Sequence, residues 1–180
     1  QDLMRGVRGQ QANEQLDELS RRAESLAEQQ QKFQEELRRA MGSQSAEAQA
    51  GSRPSTGSQL EQSRKLAEQR DGMSEELSRI EREMQQSVRD LAGSQRAAAS
   101  RLREALGDLQ QNEIGTRMRY NSDLLRRGYG AYVLPREAPI TQGLNALRDQ
   151  LRGARGALDR PSAERGSQEQ ALARLEQLRN

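Results

Sequence analysis

The side chains that most often do chemistry in proteins are missing from this sequence, so any reaction would fall to carboxylates, hydroxyls and arginines. There is no histidine and no cysteine. That removes the commonest general base, the commonest zinc ligand and every thiolate. It also removes a disulfide framework and the Glu-x-x-His ligand pair of carboxylate di-iron bundles. The carboxylates with usable spacing are Glu104 and Asp108, four apart on one helical face, with Glu113 and Tyr120 further along. Two carboxylates so placed could share a proton or hold a divalent cation. With 31% of residues charged, however, such pairs recur all along the chain, and no serine is backed by a histidine. Base, nucleophile and pocket cannot be assigned together. The expectation is a non-enzyme without cofactor, metal or small-molecule substrate.

Arginine supplies the second candidate chemistry. Arg117, Arg119, Arg126 and Arg127 lie near Tyr120, Tyr129 and Tyr132, and rings among cations can stack single-stranded bases. Polyanion or single-stranded nucleic-acid binding through residues 117–132 is therefore the alternative function. Charge argues against it: 29 basic and 27 acidic residues leave only +2, whereas nucleic-acid modules show a basic excess. A solvated helix face accounts for the same arginines, with pairs such as Glu14–Glu18–Arg22 and Glu35–Arg39 at helical spacing. The run Arg126 to Tyr132 (RRGYGAY) looks like a phosphate loop only superficially, because P-loop spacing and its lysine are lacking. A helix C-terminus followed by a turn explains it, with the tyrosine rings capping the end of a bundle.

Composition fixes what must position these groups. Only 32% of the residues are apolar and 2% aromatic, against about half apolar in ordinary domains. Leu, Ala, Glu, Gln and Arg dominate, all strong helix formers, and β-branched residues are too scarce for a sheet. The fold class is all-α, with long heptad-patterned helices forming a coiled coil or an antiparallel helical bundle. No apolar run approaches the roughly 18 residues that suggest a membrane-spanning helix. The chain starts at Gln1 without initiator Met or signal-peptide pattern, and reads as a trimmed or processed piece.

Four seams stand out. After a frayed lead-in over 1–11, Ala12, Leu16, Leu19, Ala23, Leu26, Gln30, Phe33, Leu37 and Ala40 step by four and three, with Gln30 the one polar member. This predicts an N-terminal coiled-coil helix ending near 41. Residues 42–58 are rich in Gly, Ser and Pro and read as a flexible linker, long enough either to let the first helix fold back on the second or to keep them apart. A capping box at Ser58–Glu61 then opens the second helix, whose seam runs Leu66, Arg70, Met73, Leu77, Ile80, Met84, Ser87 and Leu91. Gly93–Ser94 ends it, with Ser94 as the next N-cap. The third seam holds Ala98, Leu102, Leu106 and Leu109, slips by five, and resumes at Ile114, Met118, Asn121 and Leu125; a bend or unwinding is expected at the slip. After the turn from Tyr129 to Ile140, with Pro139 in the first helical turn, the fourth seam runs Ile140, Leu144, Leu147, Leu151, Ala154 and Leu158. Arg160–Pro161 is expected to stop that helix. Ser167–Gln170 would then open a short final one over 161–180, with Leu172, Leu175 and Leu178.

These patterns divide the chain into a helix over 1–41, a linker over 42–58, a bundle or hairpin unit over 59–160 and the final helix. The strict seam of the first helix predicts self-association through Leu16, Leu19, Leu26, Phe33 and Leu37. Leu26→Asp is then expected to dissociate the assembly and leave the later helices folded. The hairpin core is expected from Leu125, Tyr129, Tyr132, Leu144, Leu147 and Leu151. Functionally the sequence points to a structural or protein–protein interaction element acting through coiled-coil association.

Residues 24–38 (ESLAEQQQKFQEELR), the Gly/Ser/Pro-rich gap and Gln59–Met84, with MSEEL-x-x-I at Met73–Ile80, resemble part of a known group. It comprises the Gln-rich helical soluble regions of large bacterial proteins that carry membrane-spanning helices toward their N-termini. Leu102–Leu151, with REALGDLQQ and APITQGLNALRDQL, is similar to the continuation in some of them, and the likeness covers about two thirds of the chain. The resemblance implies the soluble part of a membrane-anchored protein of the bacterial cell envelope, with other proteins of the same envelope complex as partners. It brings no catalytic residues.

Overall fold

The computed structural model describes the backbone of residues 2–49 and 56–179, and side chains within 10–42 and 57–158. The helices are α1 (Asp2–Gln49), α2 (Thr56–Leu91), α3 (Arg96–Gln111), α4 (Ile114–Arg126), the single turn α5 (Gly130–Val133) and α6 (Glu137–Arg179). A 3₁₀ turn, Leu134–Arg136, joins α5 to α6. No strand occurs among the described residues.

The helices pack in a ring: α1 lies between α2 and α6, and the α3–α4 pair closes the far side. Neighbours run antiparallel, as the cross-links show. Along α1, Arg22 meets Glu76 and Glu83 of α2 while Gln30 meets Arg70. Asp108 and Asn121 of the α3–α4 pair meet Gln150 and Glu137 of α6. Asp17 and Gln30 of α1 meet Arg155 and Thr141 of α6. Each helix is apolar on a single stripe, and four such stripes turned inward make one continuous core from Leu16 to Leu158. At about 1.5–3 kcal/mol for each buried Leu, Ile or Met, that shared interior is what holds the long helices side by side.

The association seam is therefore spent inside the chain. Leu16, Leu19, Leu26, Phe33 and Leu37 are buried against α2 and α6 within the common core, not presented on a separate helix. The expected division into a free front helix and a compact rear unit gives way to one core, because the narrow α1 stripe finds its cover on the same chain.

Helix boundaries also move. α1 extends through 42–49, where Gln44, Ala46, Glu47 and Ala48 outweigh the costs of Gly42, Ser43 and Ser45. Residues 50–55 of the expected linker lie outside the described residues. α2 begins at Thr56, which places Ser58 inside the helix and not at its N-cap; Glu61 lies 3.8 Å from Lys65. Gln95 takes the N-cap position before α3 in place of Ser94. α6 continues through Pro161 to Arg179, so the expected stop and separate final helix are not found. One interior proline costs about 3 kcal/mol and can be carried by a long helix.

The five-residue slip between Leu109 and Ile114 becomes a break. Glu113 adopts a left-handed conformation (φ 52°, ψ 36°) between α3 and α4, rotating the chain so that Ile114, Met118, Asn121 and Leu125 regain the interior. Asn112 Nδ2 donates to the Asp108 carbonyl and Arg117 Nε to the Asn112 carbonyl, each at 2.9 Å. The Asp108 carbonyl also takes the Asn112 backbone N–H at 3.0 Å, whereas the Asn112 carbonyl, at the break, is met by the Arg117 side chain.

α4 ends in a Schellman motif. Gly128 (φ 81°) donates to the Leu125 carbonyl and Tyr129 to the Leu124 carbonyl, both at 2.9 Å. A Cβ at Gly128 meets no neighbour within 4 Å, so the cost of Gly128→Ala is conformational. It should destabilise the fold by about 1–2 kcal/mol, measured as a lower urea midpoint with an unchanged slope.

Beyond this motif the hairpin core is only partly as expected. Leu125, Leu144, Leu147 and Leu151 are buried, but Tyr129 and Tyr132 are 51% and 66% exposed. α5 turns Gly130 and Val133 inward instead. Gly130 is packed so closely that a Cβ there would lie 2.8 Å from Met41 Cε, and the tyrosine rings are left outside.

Candidate functional site

Each of the four sides of the bundle contributes one buried residue to a single polar layer. Gln30 of α1, Arg70 of α2, Asn121 of α4 and Glu137 of α6 are 0%, 0%, 1% and 0% exposed. Glu137 is its acceptor centre. Oε2 receives Gln30 Nε2 at 2.7 Å and also Arg70 Nη2, while Oε1 receives Asn121 Nδ2 at 2.8 Å. Arg70 Nη1 donates to Gln30 Oε1 at 2.7 Å. Gln30 Nε2 also lies 3.1 Å from Thr141 Oγ1, and that hydroxyl donates to the Glu137 carbonyl at 3.1 Å.

Arg70 is the incompletely bonded partner. Its guanidinium carbon sits 4.0 Å from the Phe33 ring centroid, a cation–π contact in a desolvated site, and its Nε has no hydrogen-bond partner. Burial pulls its pKa below the ordinary arginine value, and Glu137 opposes that shift. An arginine remains charged even so. A buried pair of this kind stabilises little compared with apolar packing, but an unpaired member is expensive.

That arrangement discriminates between registers. Sliding α6 by one heptad would put Leu144 where Glu137 stands; sliding α2 would replace Arg70 by Ser63 or Leu77. Either slip strands a charge in the core. Chemically, the layer consumes its own reactive groups, since both Glu137 oxygens are occupied by donors from three other helices.

The seams in the sequence already held Gln30, Arg70 and Asn121 as polar exceptions. Glu137 was missed, although stepping back three residues from Ile140 reaches it in phase. Another miss is Arg22, which crosses to Glu76 at 2.6 Å and Glu83 at 2.5 Å on α2; those carboxylates hold its pKa above the ordinary value. Glu35 and Arg39 do pair along α1, at 3.9 Å.

The carboxylates considered for catalysis do not converge. Glu104 is exposed, and Asp108 accepts from Gln150 Nε2 at 2.5 Å. Glu113 is the left-handed residue at the break itself. Among the described residues no three His, Cys, Asp or Glu side chains form a metal-sized cluster.

The arginine–tyrosine cluster is divided by α4. Arg119 and Arg126 face α2. There Arg126 pairs with Asp71 and, at 3.3 Å, with Asp123, while Ser122 Oγ donates to Asp71 at 2.5 Å. Arg119 lines a groove of about 370 Å³ with Ser74, Ser78, Arg79 and Arg82. Its cations sit among carboxylates: Arg79 is 4.0 Å from Glu75 and 3.9 Å from Glu76. Burial raises the Glu81 carboxyl pKa while Arg119 lowers it.

Arg117 and Tyr120 face the other way, into a groove of about 460 Å³ shared with Asn121, Pro135, Arg136 and Pro139. The Arg136 guanidinium carbon lies 5.2 Å from the Tyr120 ring centroid. Tyr129 and Tyr132 form an edge-to-face pair at 6.1 Å. Arg127 is exposed at the α4 C-terminus. A single continuous cationic strip over 117–132 is thus not what the fold presents, because residues 117 and 119 point to opposite sides of one helix.

Among the described residues no helix is long and apolar enough to cross a membrane. In comparison with known proteins, no family model, curated relative or solved structure matches the chain.

Proposed function

We propose that this chain is a non-enzymatic structural and protein-interaction element, built of heptad-packed helices of the coiled-coil type. The observation that carries this is the buried layer. Its charged and amide groups bond to one another across all four sides of the bundle, which fixes geometry and leaves the outer faces and ends for contact. The resemblance described above supports a place in the bacterial envelope, as the soluble part of an anchored protein.

Self-association belongs to this function, by a route other than the α1 seam. α6 runs on to Arg179, about 30 Å beyond Leu158 at 1.5 Å per residue. Leu172, Leu175 and Leu178 recur there at three-residue steps, suited to pairing with a second copy. Sedimentation equilibrium provides the test. The wild type should associate reversibly as concentration rises, and Leu172→Asp/Leu175→Asp should be monomeric with an unchanged thermal midpoint. A wild type that stays monomeric at millimolar concentration would remove self-association from the proposal.

A further inference from the structure

We infer that the groove between α4 and the start of α6 docks a short acidic segment of a partner protein. This rests on the interaction role proposed above and names its surface and the partner's chemistry. Two guanidiniums line the groove. Arg136 is stacked on the Tyr120 ring and has no carboxylate partner among the described residues, while Arg117 is tethered through its Nε to the Asn112 carbonyl. Both therefore stand in set positions with donor edges left for a carboxylate, the geometry in which arginine binds acids best. Tyr120 is 51% exposed, and with Pro135 and Pro139 it gives the groove apolar walls. An aliphatic side chain between two acidic residues would fill that space. Arginine and tyrosine are also the residue types that dominate the energetics of protein interfaces.

A nucleic-acid strand fits less well. Glu113 also lines this groove, so an acidic segment is held only where its carboxylates meet Arg117 and Arg136 and its aliphatic side chain lies toward Glu113, whereas a phosphate chain has no uncharged unit to place there. The Tyr120 face is occupied by Arg136, where a base would have to stack. Asn121 lines the groove as well and donates to Glu137, so the groove floor is part of the layer that sets the bundle's register.

The test is fluorescence anisotropy of a fluorescein-labelled Glu-Glu-Leu-Glu-Glu peptide titrated with the full chain at low salt. Saturable binding is expected, weakened at least about tenfold in Arg117→Glu/Arg136→Glu, a loss of about 1.4 kcal/mol. Tyr120→Ala should weaken it less. Arg79→Glu/Arg82→Glu, in the groove on the other side of α4, should leave it unchanged. Arg136→Gln alone, remote from the α3–α4 break, gives the same direction should the double variant misfold. Absence of saturable binding, equal loss from Arg79→Glu/Arg82→Glu, or tighter binding of a labelled thymidine pentanucleotide would overturn the assignment. If the peptide fails while the chain still self-associates, this groove loses its role and the interaction function stands.

Discussion

Glu137→Leu should cost the fold about 3–5 kcal/mol, the penalty typical of removing one partner from a buried ion pair. Most of that penalty comes from what is left behind. Arg70 stays fully buried with its main counter-charge gone, and Gln30 and Asn121 lose their acceptors. The charge cannot be shed by deprotonation at any ordinary pH. The double variant Arg70→Leu/Glu137→Leu should recover most of the loss, because apolar groups of similar size replace a desolvated pair. Urea denaturation of wild type, both single variants and the double variant measures the coupling directly. Additive single effects would mean that the two side chains do not share a site.

Leu26→Ala should cost about 2–5 kcal/mol, the range for a fully buried leucine, and Leu26→Asp should cost more by placing a carboxylate in the core. The consequence reaches the whole bundle. Leu26 belongs to the same cluster as Leu102, Leu125 and Leu147, so the α3–α6 region should unfold with α1 and not survive it. This reverses the expectation drawn from the sequence, in which the later helices stayed folded. Hydrogen exchange separates the two. In Leu26→Ala, amides of α1, α4 and α6 should lose protection together; protection lost in α1 alone would show two independent units.

The helical class and the inward faces were legible because a stripe repeating every three or four residues must be covered, whatever covers it. Leu144, Leu147 and Leu151 could be placed on that basis alone. Which helix covers which was not legible. Leu16 through Leu37 would look the same facing a second chain or facing α2 and α6, since an apolar stripe carries no address. The address lies in polar exceptions, and here the sequence held more than periodicity extracts from it. Gln30, Arg70 and Asn121 are the large polar members of their seams, and a charge at a seam position needs a partner at the same level. Pairing them would have called for an acidic residue in the fourth seam, which is Glu137. Local rules failed for a different reason at Pro161 and Ser58. Capping and breaking preferences are worth about 0.5–3 kcal/mol, and long helices can override them. At the surface, Arg117 and Arg119 are neighbours in sequence but separated by some 200° around α4, so a cluster in the sequence became two grooves.

The central claim, one chain folded into one bundle in one register, is tested most directly by cross-linking, since the sequence has no cysteine to interfere. Glu24 and Arg152 are paired across α1 and α6. Glu24→Cys/Arg152→Cys treated with a short bifunctional thiol reagent should close within single molecules. Glu24→Cys with Asn145→Cys or Asp159→Cys, displaced by about 10 Å along α6, should not. Comparable yields at all three positions, or cross-links formed mainly between molecules, would contradict the bundle described here.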